Sequence, residues 1–254
     1  MTIQFDGLMT FLLVFVRMAA MLIFNPLLTR RNVPSRVTMA LALCLTFMLA
    51  PNIVPAPEFT PFDTAFAIFR ELFVGFVCGF VFQIFYLLLF FVGDFIDMQF
   101  GLSMAKVFDP GTNIQASVSG KLLNIMFALY FFATGSHLVM LKLFSSSYMI
   151  LPAGAANMTL SSAKFIIEVF IAAFSLVIRL ALPFVIAEFT VEIAMGVLMK
   201  LIPQIHVFVI NMQIKVGLGL LLLILFAQPV SSFIDNYTIL MLENMQRAIY
   251  ALAA

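Results

Sequence analysis

The sequence predicts an all-α integral membrane protein, on the strength of its composition and of its long apolar runs. Of its 254 residues, 64% are hydrophobic and only 10% are charged. Soluble domains carry about 45–50% apolar and about 25% charged residues, so this excess is too large for a globular core. Apolar runs long enough to cross a bilayer, which takes about 20 residues, recur along the chain. The start, MTIQFDG, lacks a basic segment and a cleavage site, so we expect no secretory signal.

Each predicted helix follows an apolar run, and turn residues separate the runs. The first run ends near Asn25-Pro26, the second is short and is broken by PNIVPAPEFTP, and Pro183 divides a long later run into two. A final amphipathic stretch carries Glu243 and Arg247. In order, the predicted helices are Leu8–Leu28, Val37–Ala50, Leu72–Val92, Leu122–Leu141, Phe165–Leu182, Phe184–Ile202, Val216–Ile234 and Tyr237–Leu252. The basic loop from Arg30 to Arg36 is expected in the cytoplasm by the positive-inside rule.

Charged residues inside these runs are the first candidate functional residues. An Arg at the centre of a span costs about 2.5–3.5 kcal/mol on insertion scales, so such residues face a bundle interior or a water-filled path. Two interpretations remain open: an ion pair between helices, or a conduction path. Glu188 and Glu192 share a helix face and could form a proton relay or cation site, or a stripe that faces water or a basic partner. The predicted buried or structural charges are Arg17, Arg70, Glu71, Arg179, Glu188, Glu192 and Lys215, with Glu168 posing the same problem.

Other residue types argue against chemistry in this chain. Cys44 and Cys78 lie in apolar runs without a CxxC pattern and are predicted to be small buried hydrophobes. His137 and His206 stand apart from carboxylate clusters, and no nucleophile–base arrangement is legible, so we expect no metal, no cofactor and no enzymatic activity. Net charge is +1, which suggests no nucleic-acid partner. Gly75 and Gly79 form a GxxxG pair that predicts close helix packing.

A polar, turn-rich stretch, GLSMAKVFDPGTNIQASVSGK, interrupts two strongly hydrophobic runs at residues 101–121. Its Asp109-Pro110-Gly111 triplet favours a turn, because proline fixes φ and glycine admits positive φ. Non-helical backbone at membrane depth is tolerated where it is buried in protein or lines a wet cavity. The stretch is therefore either an ordinary surface loop or a re-entrant segment on a pore axis.

Ordered polar landmarks across the chain resemble the FliR family of flagellar type III export-gate proteins, whose injectisome members are called SctT or SpaR. The most specific stretch is GDFIDMQFGLSMAKVFDP, and its continuation FDPGTN favours the flagellar branch. The other matching residues are Arg17-Met18-Ala19, Pro26-Leu27-Leu28, Val33-Pro34-Ser35-Arg36, Glu71 with Gly75 and Gly79, Gly135-Ser136-His137, Leu151-Pro152, Pro203-Gln204-Ile205 and Val207-Phe208.

The resemblance implies a fold and a role that composition cannot show. It implies one helical export-gate domain over residues 1–254, built of bent helical hairpins like a FliP-like portion fused to a FliQ-like portion. It implies FliP-like and FliQ-like partners, FlhB-like and FlhA-like export components, unfolded protein substrates and a place in the inner membrane at the flagellar basal body. It also implies a channel plug in a loop at about 106–119, with candidates Phe108, Asp109, Pro110, Gly111, Thr112, Asn113, Ile114, Gln115, Ala116 and Ser117.

Two other functions are weighed against the export gate. A secondary transporter of a small solute would use Glu188, Glu192, Arg179 and Lys215 at broken helices near the bilayer midplane, although no two-half repeat is visible. An intramembrane enzyme would need a convergent catalytic set, which the sequence does not display. The injectisome export-gate subunit is the alternative within the family.

Overall fold

The computed structural model describes residues 3–29, 33–55, 60–104, 117–155, 160–202 and 207–253. In these ranges the chain forms α-helices, two short 3₁₀ helices at Ala50–Asn52 and Leu102–Met104, and no strand. The predicted all-α membrane fold is thereby confirmed. The helices are α1 Ile3–Ile23, α2 Ser35–Leu49, α3 Pro61–Gln99, α4 Val118–Ala133, α5 Ser136–Ile150, α6 Leu160–Leu201, α7 Val207–Leu225 and α8 Ala227–Ala253.

Helix boundaries differ from the sequence prediction at several places. Pro183 lies inside α6 instead of ending a helix, so the two predicted spans on either side of it form one helix of 42 residues. A proline costs one backbone hydrogen bond, and the strongly apolar flanks on both sides keep the helix continuous. The runs predicted as Leu122–Leu141 and Val216–Ile234 are each broken into two helices. Residues 93–99, which lie beyond the end of the predicted helix Leu72–Val92, belong to α3.

The break between α4 and α5 has a local cause. Gly135 has φ of +75°, a left-handed conformation that residues with a side chain adopt at a cost. Its amide donates to the Phe132 carbonyl at 3.3 Å, and the Leu138 amide donates back to the Gly135 carbonyl at 2.9 Å. One helix therefore ends and the next begins within three residues. Pro229 sits in the first turn of α8, where its missing N–H is not needed.

Within the described residues, three helical stretches are long and apolar enough to cross a membrane, namely Ser35–Asn52, Phe62–Gln99 and Lys164–Leu201. Counting each of two bent helix pairs as one span raises this number to five. Two of the three stretches run to 38 residues, well beyond the roughly 20 residues that one bilayer crossing requires.

The chain divides into two compact units, each assembled from separate parts of the sequence. The first unit comprises Met1–Phe85, Phe131–Ile171 and Ile239–Ala254, and the second comprises Tyr86–Tyr130 and Ala172–Thr238. Helices α3, α4, α6 and α8 run from one unit into the other. The single domain expected over residues 1–254 stays a prediction.

In the first unit, α1 packs directly on α3 through the two predicted glycines. A Cβ on Gly75 would lie 2.8 Å from the Arg17 carbonyl oxygen, and one on Gly79 would lie 3.1 Å from the Phe24 carbonyl carbon. Neither distance leaves room for a side chain, so these glycines set how closely the two helices approach. Phe24 adds an edge-to-face contact with Phe76, their ring centroids 4.9 Å apart.

The second unit has an aromatic core of its own. Phe184 of α6 contacts Phe100, with ring centroids 6.3 Å apart, and Phe226, with centroids 5.5 Å apart. Gly219 of α7 lies against the Phe100 ring, because a Cβ there would come within 2.6 Å of its Cγ.

Of the two cysteines, Cys78 is buried as predicted, whereas Cys44 is exposed on α2. The prediction for Cys44 is wrong because the described part of the chain leaves that face of α2 uncovered.

Candidate functional site

A buried arginine organises the first unit. Arg17 of α1 is fully buried, and its Nε and Nη2 donate to the two carboxylate oxygens of Glu71 on α3, at 2.5 and 2.9 Å. Its Nη1 donates to the Leu151 carbonyl at 3.0 Å and lies 3.3 Å from the Ser147 hydroxyl. The Tyr148 ring covers the guanidinium, with its centroid 4.1 Å from Cζ. The charge is thus paired, hydrogen-bonded and shielded at once.

The Glu71 carboxylate extends this cluster to the turn after α5. Its Oε1 accepts the Gly154 amide at 2.7 Å, and Arg70 Nη1 donates to the Gly154 carbonyl at 3.2 Å. Gly154 has φ of +82°, which suits glycine. We call Arg17, Glu71, Ser147, Leu151 and Gly154 the Arg17 cluster. It joins α1, α3, α5 and the following turn, and its polar groups bind one another, which makes it a structural ion pair.

A second charged cluster lies between α6 and α7 in the second unit. Lys215 Nζ lies 2.5 Å from Glu188 Oε1 and 2.9 Å from Glu192 Oε2. Glu188 is 2% exposed, Lys215 16% and Glu192 55%. One ammonium therefore pairs with two carboxylates and joins the two helices. The two acidic residues predicted to share a helix face do so. Both carboxylates bind the Lys215 ammonium, whereas the carboxylates of a proton relay or solute site would be open to the proton or the solute.

Two other mid-span charges are placed differently from the prediction. Arg179 and Glu168 are both exposed along α6 in the described chain, so Arg179 is not a buried charge. Exposed apolar residues follow the same helix at intervals of three or four residues. They are Leu182, Ile186, Phe189, Ile193, Val197 and Leu201. A surface of this kind marks a contact with lipid or with another protein.

Asp97 connects the end of α3 to the start of α4. It is 1% exposed. Its Oδ2 accepts the Ser117 hydroxyl at 2.7 Å and the Val118 amide at 2.6 Å, and both of its oxygens lie 3.2 Å from the Ser119 amide. Ser117 Oγ in turn accepts the Gly120 amide at 2.8 Å. We call this set of bonds the Asp97 cap. It lies wholly in the second unit.

Of the predicted plug residues, the structure describes Ser117 alone, which is buried and forms part of the Asp97 cap. The predicted residues Phe108 to Ala116 lie outside the described residues. Sequence reasoning did not single out Asp97, Ser147 or Tyr148. The available signal for Asp97 was an acidic residue at the end of an apolar run, with a Ser at the start of the next.

The described residues show no metal centre: no group of three or more His, Cys, Asp or Glu side chains there could hold an ion. The second unit contains an apolar cavity of about 200 Å³ lined by α3, α4, α6, α7 and α8. The first contains one of about 140 Å³ beside Asn25 and His137. Neither carries a set of converging polar groups such as catalysis needs.

These features define an all-helical membrane protein whose buried charges hold helices together. The family model described as "Bacterial export proteins, family 1" matches residues 8–240, and the chain belongs to that family. The recognition made from the polar landmarks is thereby confirmed. "Flagellar biosynthetic protein FliR" of Bacillus subtilis (strain 168) is 27% identical over 244 residues, covering 94% of this chain and 94% of the relative.

Two further relatives come from both branches of the family. The Escherichia coli (strain K12) protein "Flagellar biosynthetic protein FliR" is 27% identical over 224 residues, covering 87% of this chain and 85% of the relative. The Yersinia pestis "Yop proteins translocation protein T" is 26% identical over 249 residues, covering 95% of each chain. Matches to these two relatives thus cover 87% and 95% of this chain.

Proposed function

We propose that this protein is a subunit of the flagellar type III protein-export gate in the bacterial inner membrane. The observation that carries the proposal is the match of the export family to residues 8–240, together with relatives named for flagellar biosynthesis that cover up to 94% of the chain. Unfolded flagellar proteins would cross through a channel to which this chain contributes part of the wall. Its role is positioning and sealing rather than catalysis.

The exposed apolar surface of α6 supports the proposal that this protein is part of a larger assembly. Helix α6 has 42 residues and is therefore roughly 60 Å long at about 1.5 Å per residue. The hydrocarbon core of a bilayer is only about 30 Å thick. The exposed apolar stripe from Leu182 to Leu201 alone measures about 30 Å. Further exposed apolar residues precede it at Ile167, Phe170, Ile171 and Phe174, so the apolar surface of the helix is longer than one perpendicular crossing. FliP-like and FliQ-like subunits are the proposed cover, with FlhB-like and FlhA-like components completing the apparatus.

The plug is proposed for residues 108–117. Small and turn-forming residues dominate this stretch, and the described residue at its end, Ser117, is held by the Asp97 cap. A polar segment in a wet channel needs no lipid-compatible backbone, because water can satisfy its amides and carbonyls. The plug would block ions at rest and move aside for a passing chain.

Within the family, the flagellar branch is the proposal and the injectisome branch is the alternative. The Bacillus subtilis and Escherichia coli relatives are named for flagellar biosynthesis, and FDPGTN favours that branch, whereas the Yersinia pestis relative belongs to the other. The solute-transporter alternative depended on Glu188, Glu192, Arg179 and Lys215. Three of these pair with one another and Arg179 is exposed elsewhere on α6, so no observation favours it.

Native mass spectrometry of the tagged chain, expressed with its neighbouring genes and purified in mild detergent, tests the proposal. We expect one copy of this chain with several copies of two other small membrane proteins. A gene-deletion strain complemented with this chain should also regain flagellar export and swimming. A monomer or homodimer that lacks such partners, in cells whose flagellar export is intact without the gene, would overturn the proposal.

A further inference from the structure

The part of α6 that belongs to the second unit buries one side and exposes the other. Phe184 and Glu188, on the inward side, are 1% and 2% exposed. Four large apolar residues on the outward side are 47–68% exposed, namely Leu182, Ile186, Phe189 and Ile193. This part of α6 therefore packs on its own unit with one side and presents an apolar side to whatever surrounds the protein.

The outward residues have the spacing of a seam between two helices. The steps from Leu182 to Ile193 are four, three and four residues, the alternation that a coiled coil uses. An average step near 3.5 residues keeps these side chains in one line along the helix. The next steps of three residues reach Arg179 on one side and Gly196 on the other. We call this face the α6 seam, and its members are Arg179, Leu182, Ile186, Phe189, Ile193 and Gly196.

Arg179 gives the α6 seam an unpaired positive charge. Its side chain is exposed, and it forms no ion pair with the residues that the structure describes. It lies near the middle of Leu160–Leu201, in a stretch apolar enough to cross a membrane. A charge at such a position is costly against hydrocarbon and normally faces protein or water. A carboxylate on a protein that covers the seam would satisfy the guanidinium, because the two groups form strong paired hydrogen bonds.

Gly196 gives the α6 seam a place where another backbone fits. A glycine inside a helix is less stable than an alanine, so its presence there normally has a packing reason. Gly219 has one, because a Cβ there would overlap the Phe100 ring. Gly196 has none within this chain: no atom lies within 4 Å of a Cβ at that position, and its φ is not positive. Small residues on membrane helices allow a second helix to approach closely.

Charge and glycine together favour a protein helix over the other possible occupants. Lipid tails pack against any apolar side chain and need neither a central arginine nor a glycine. A second copy of this chain in parallel alignment would place Arg179 against Arg179, and like charges repel. The seam from Arg179 to Gly196 is about 26 Å long at about 1.5 Å per residue, a length that one membrane-spanning helix covers.

We propose that the α6 seam docks a membrane-spanning helix of another subunit, which places an Asp or Glu carboxylate opposite Arg179 and packs its backbone on Gly196. The apolar residues between these two points supply the buried area. Arg179 sets the register of the partner helix and discriminates against partners that lack the carboxylate. The inference rests on the proposed function, because the export gate is the assembly that supplies the partner.

The test places the photo-cross-linking residue p-benzoylphenylalanine at Ile186, in the gene-deletion strain that carries this chain and its neighbouring genes. The cross-linked product is identified by mass spectrometry as another protein, a second copy of this chain, or lipid. Recovery of the assembled complex is then measured for Arg179→Glu, Arg179→Lys and Gly196→Leu. Gly217→Leu is the matched control, because Gly217 also has no atom within 4 Å of a Cβ and lies on α7. The amount of each variant in the membrane fraction reports whether the chain itself folds.

We expect a cross-link to another membrane protein, and recovery of the complex lower by about tenfold or more in Arg179→Glu and Gly196→Leu, since a like charge or a clash at an interface opposes binding strongly. Arg179→Lys and Gly217→Leu should stay near wild type, and all variants should reach the membrane at wild-type amounts. Reversal of one acidic residue to Lys in the cross-linked partner should restore the complex with Arg179→Glu.

A cross-link to lipid alone or to a second copy of this chain overturns the proposal. Full recovery of the complex in Arg179→Glu and Gly196→Leu overturns it as well, and so does loss of both variants from the membrane, because the two residues would then serve the folding of this chain. The proposed function is tested separately by the wild-type complex. Two other small membrane proteins recovered with wild type, with only lipid cross-linked at Ile186, remove the α6 seam proposal alone. Wild type recovered without partners removes the export-gate function and this proposal with it.

Discussion

Arg17 and Glu71, which are 54 residues apart in the sequence, form a bidentate ion pair in which both side chains are fully buried. The pair lies where Gly75 brings the backbones of α1 and α3 together. Gly75 permits the close approach of α1 and α3. The Arg17–Glu71 ion pair forms beside it, and the Gly154 amide donates a hydrogen bond to the same Glu71 carboxylate. A charge that is costly within an apolar helix therefore has its counter-charge inside the same unit of the fold.

Removing one partner of this pair should be strongly destabilising. In Glu71→Gln, the Arg17 guanidinium stays buried without its counter-charge, which in proteins costs about 3–5 kcal/mol. Thermal unfolding of the detergent-purified complex measures the loss. Glu192→Gln is the control: it makes the same change in a carboxylate that is 55% exposed, where about 1 kcal/mol or less is expected.

The double variant Arg17→Met with Glu71→Leu tests whether the two residues act as a pair, because it removes both charges together. Apolar replacement of a whole buried pair is often close to neutral. We therefore expect the double variant to be more stable than Glu71→Gln. If the double variant loses as much stability as Arg17→Met and Glu71→Leu lose separately when their losses are added, the two residues do not act as a pair.

Glycine substitutions should show where α1 and α3 touch. Gly75→Ala places a methyl group 2.8 Å from the Arg17 carbonyl oxygen, and overpacking of this kind costs about 1–3 kcal/mol. Gly217→Ala is the matched control, because no atom lies within 4 Å of a Cβ at that helical position. It should be neutral or stabilising by up to about 1 kcal/mol, given the higher helix propensity of Ala. Equal losses of stability in the two variants would show that α1 and α3 do not pack as described.

The ion pairs of Lys215 with Glu188 and Glu192 should matter for stability and not for export. Lys215→Met leaves Glu188, which is 2% exposed, without its cation, so complex recovery and thermal stability should fall. Combining Lys215→Met with Glu188→Gln removes both charges and should restore much of the loss. Flagellar export by the double variant is the deciding measurement. Loss of export in a double variant that is stable would favour the proton-relay alternative.

Deletion of residues 109–116 should make resting cells leaky to ions while export is partly retained, because these residues form most of the proposed plug. Ion permeability and swimming are measured in the same strain. An equal-length Gly/Ser replacement controls for loop length, since it keeps the chain connection but removes the turn residues. Ion permeability unchanged from wild type in the deletion strain would contradict the plug.

Local features allowed most of the helices to be predicted, and they failed where the chain has to choose between competing signals. The run predicted as the helix Leu122–Leu141 contains the turn residue Gly135. The break there was not predicted, because the run is hydrophobic on both sides of it. Pro183 shows the opposite failure, because a strong helix breaker is tolerated within a long apolar helix. Exposure was predicted least well, as Cys44 and Arg179 show, since an apolar run has no preferred face before its neighbours are known.

By itself, the sequence determined the class of this protein, its helical content and its family, because hydrophobicity, prolines and an ordered series of polar landmarks are local properties of the chain. Only the tertiary structure decided which charges are paired and which amides Asp97 binds. Arg17 could have faced a pore or a partner, and Glu188 could have had no cation beside it. Each choice depends on which helices meet, and that is set by side-chain packing between residues far apart in the sequence, which periodicity does not encode.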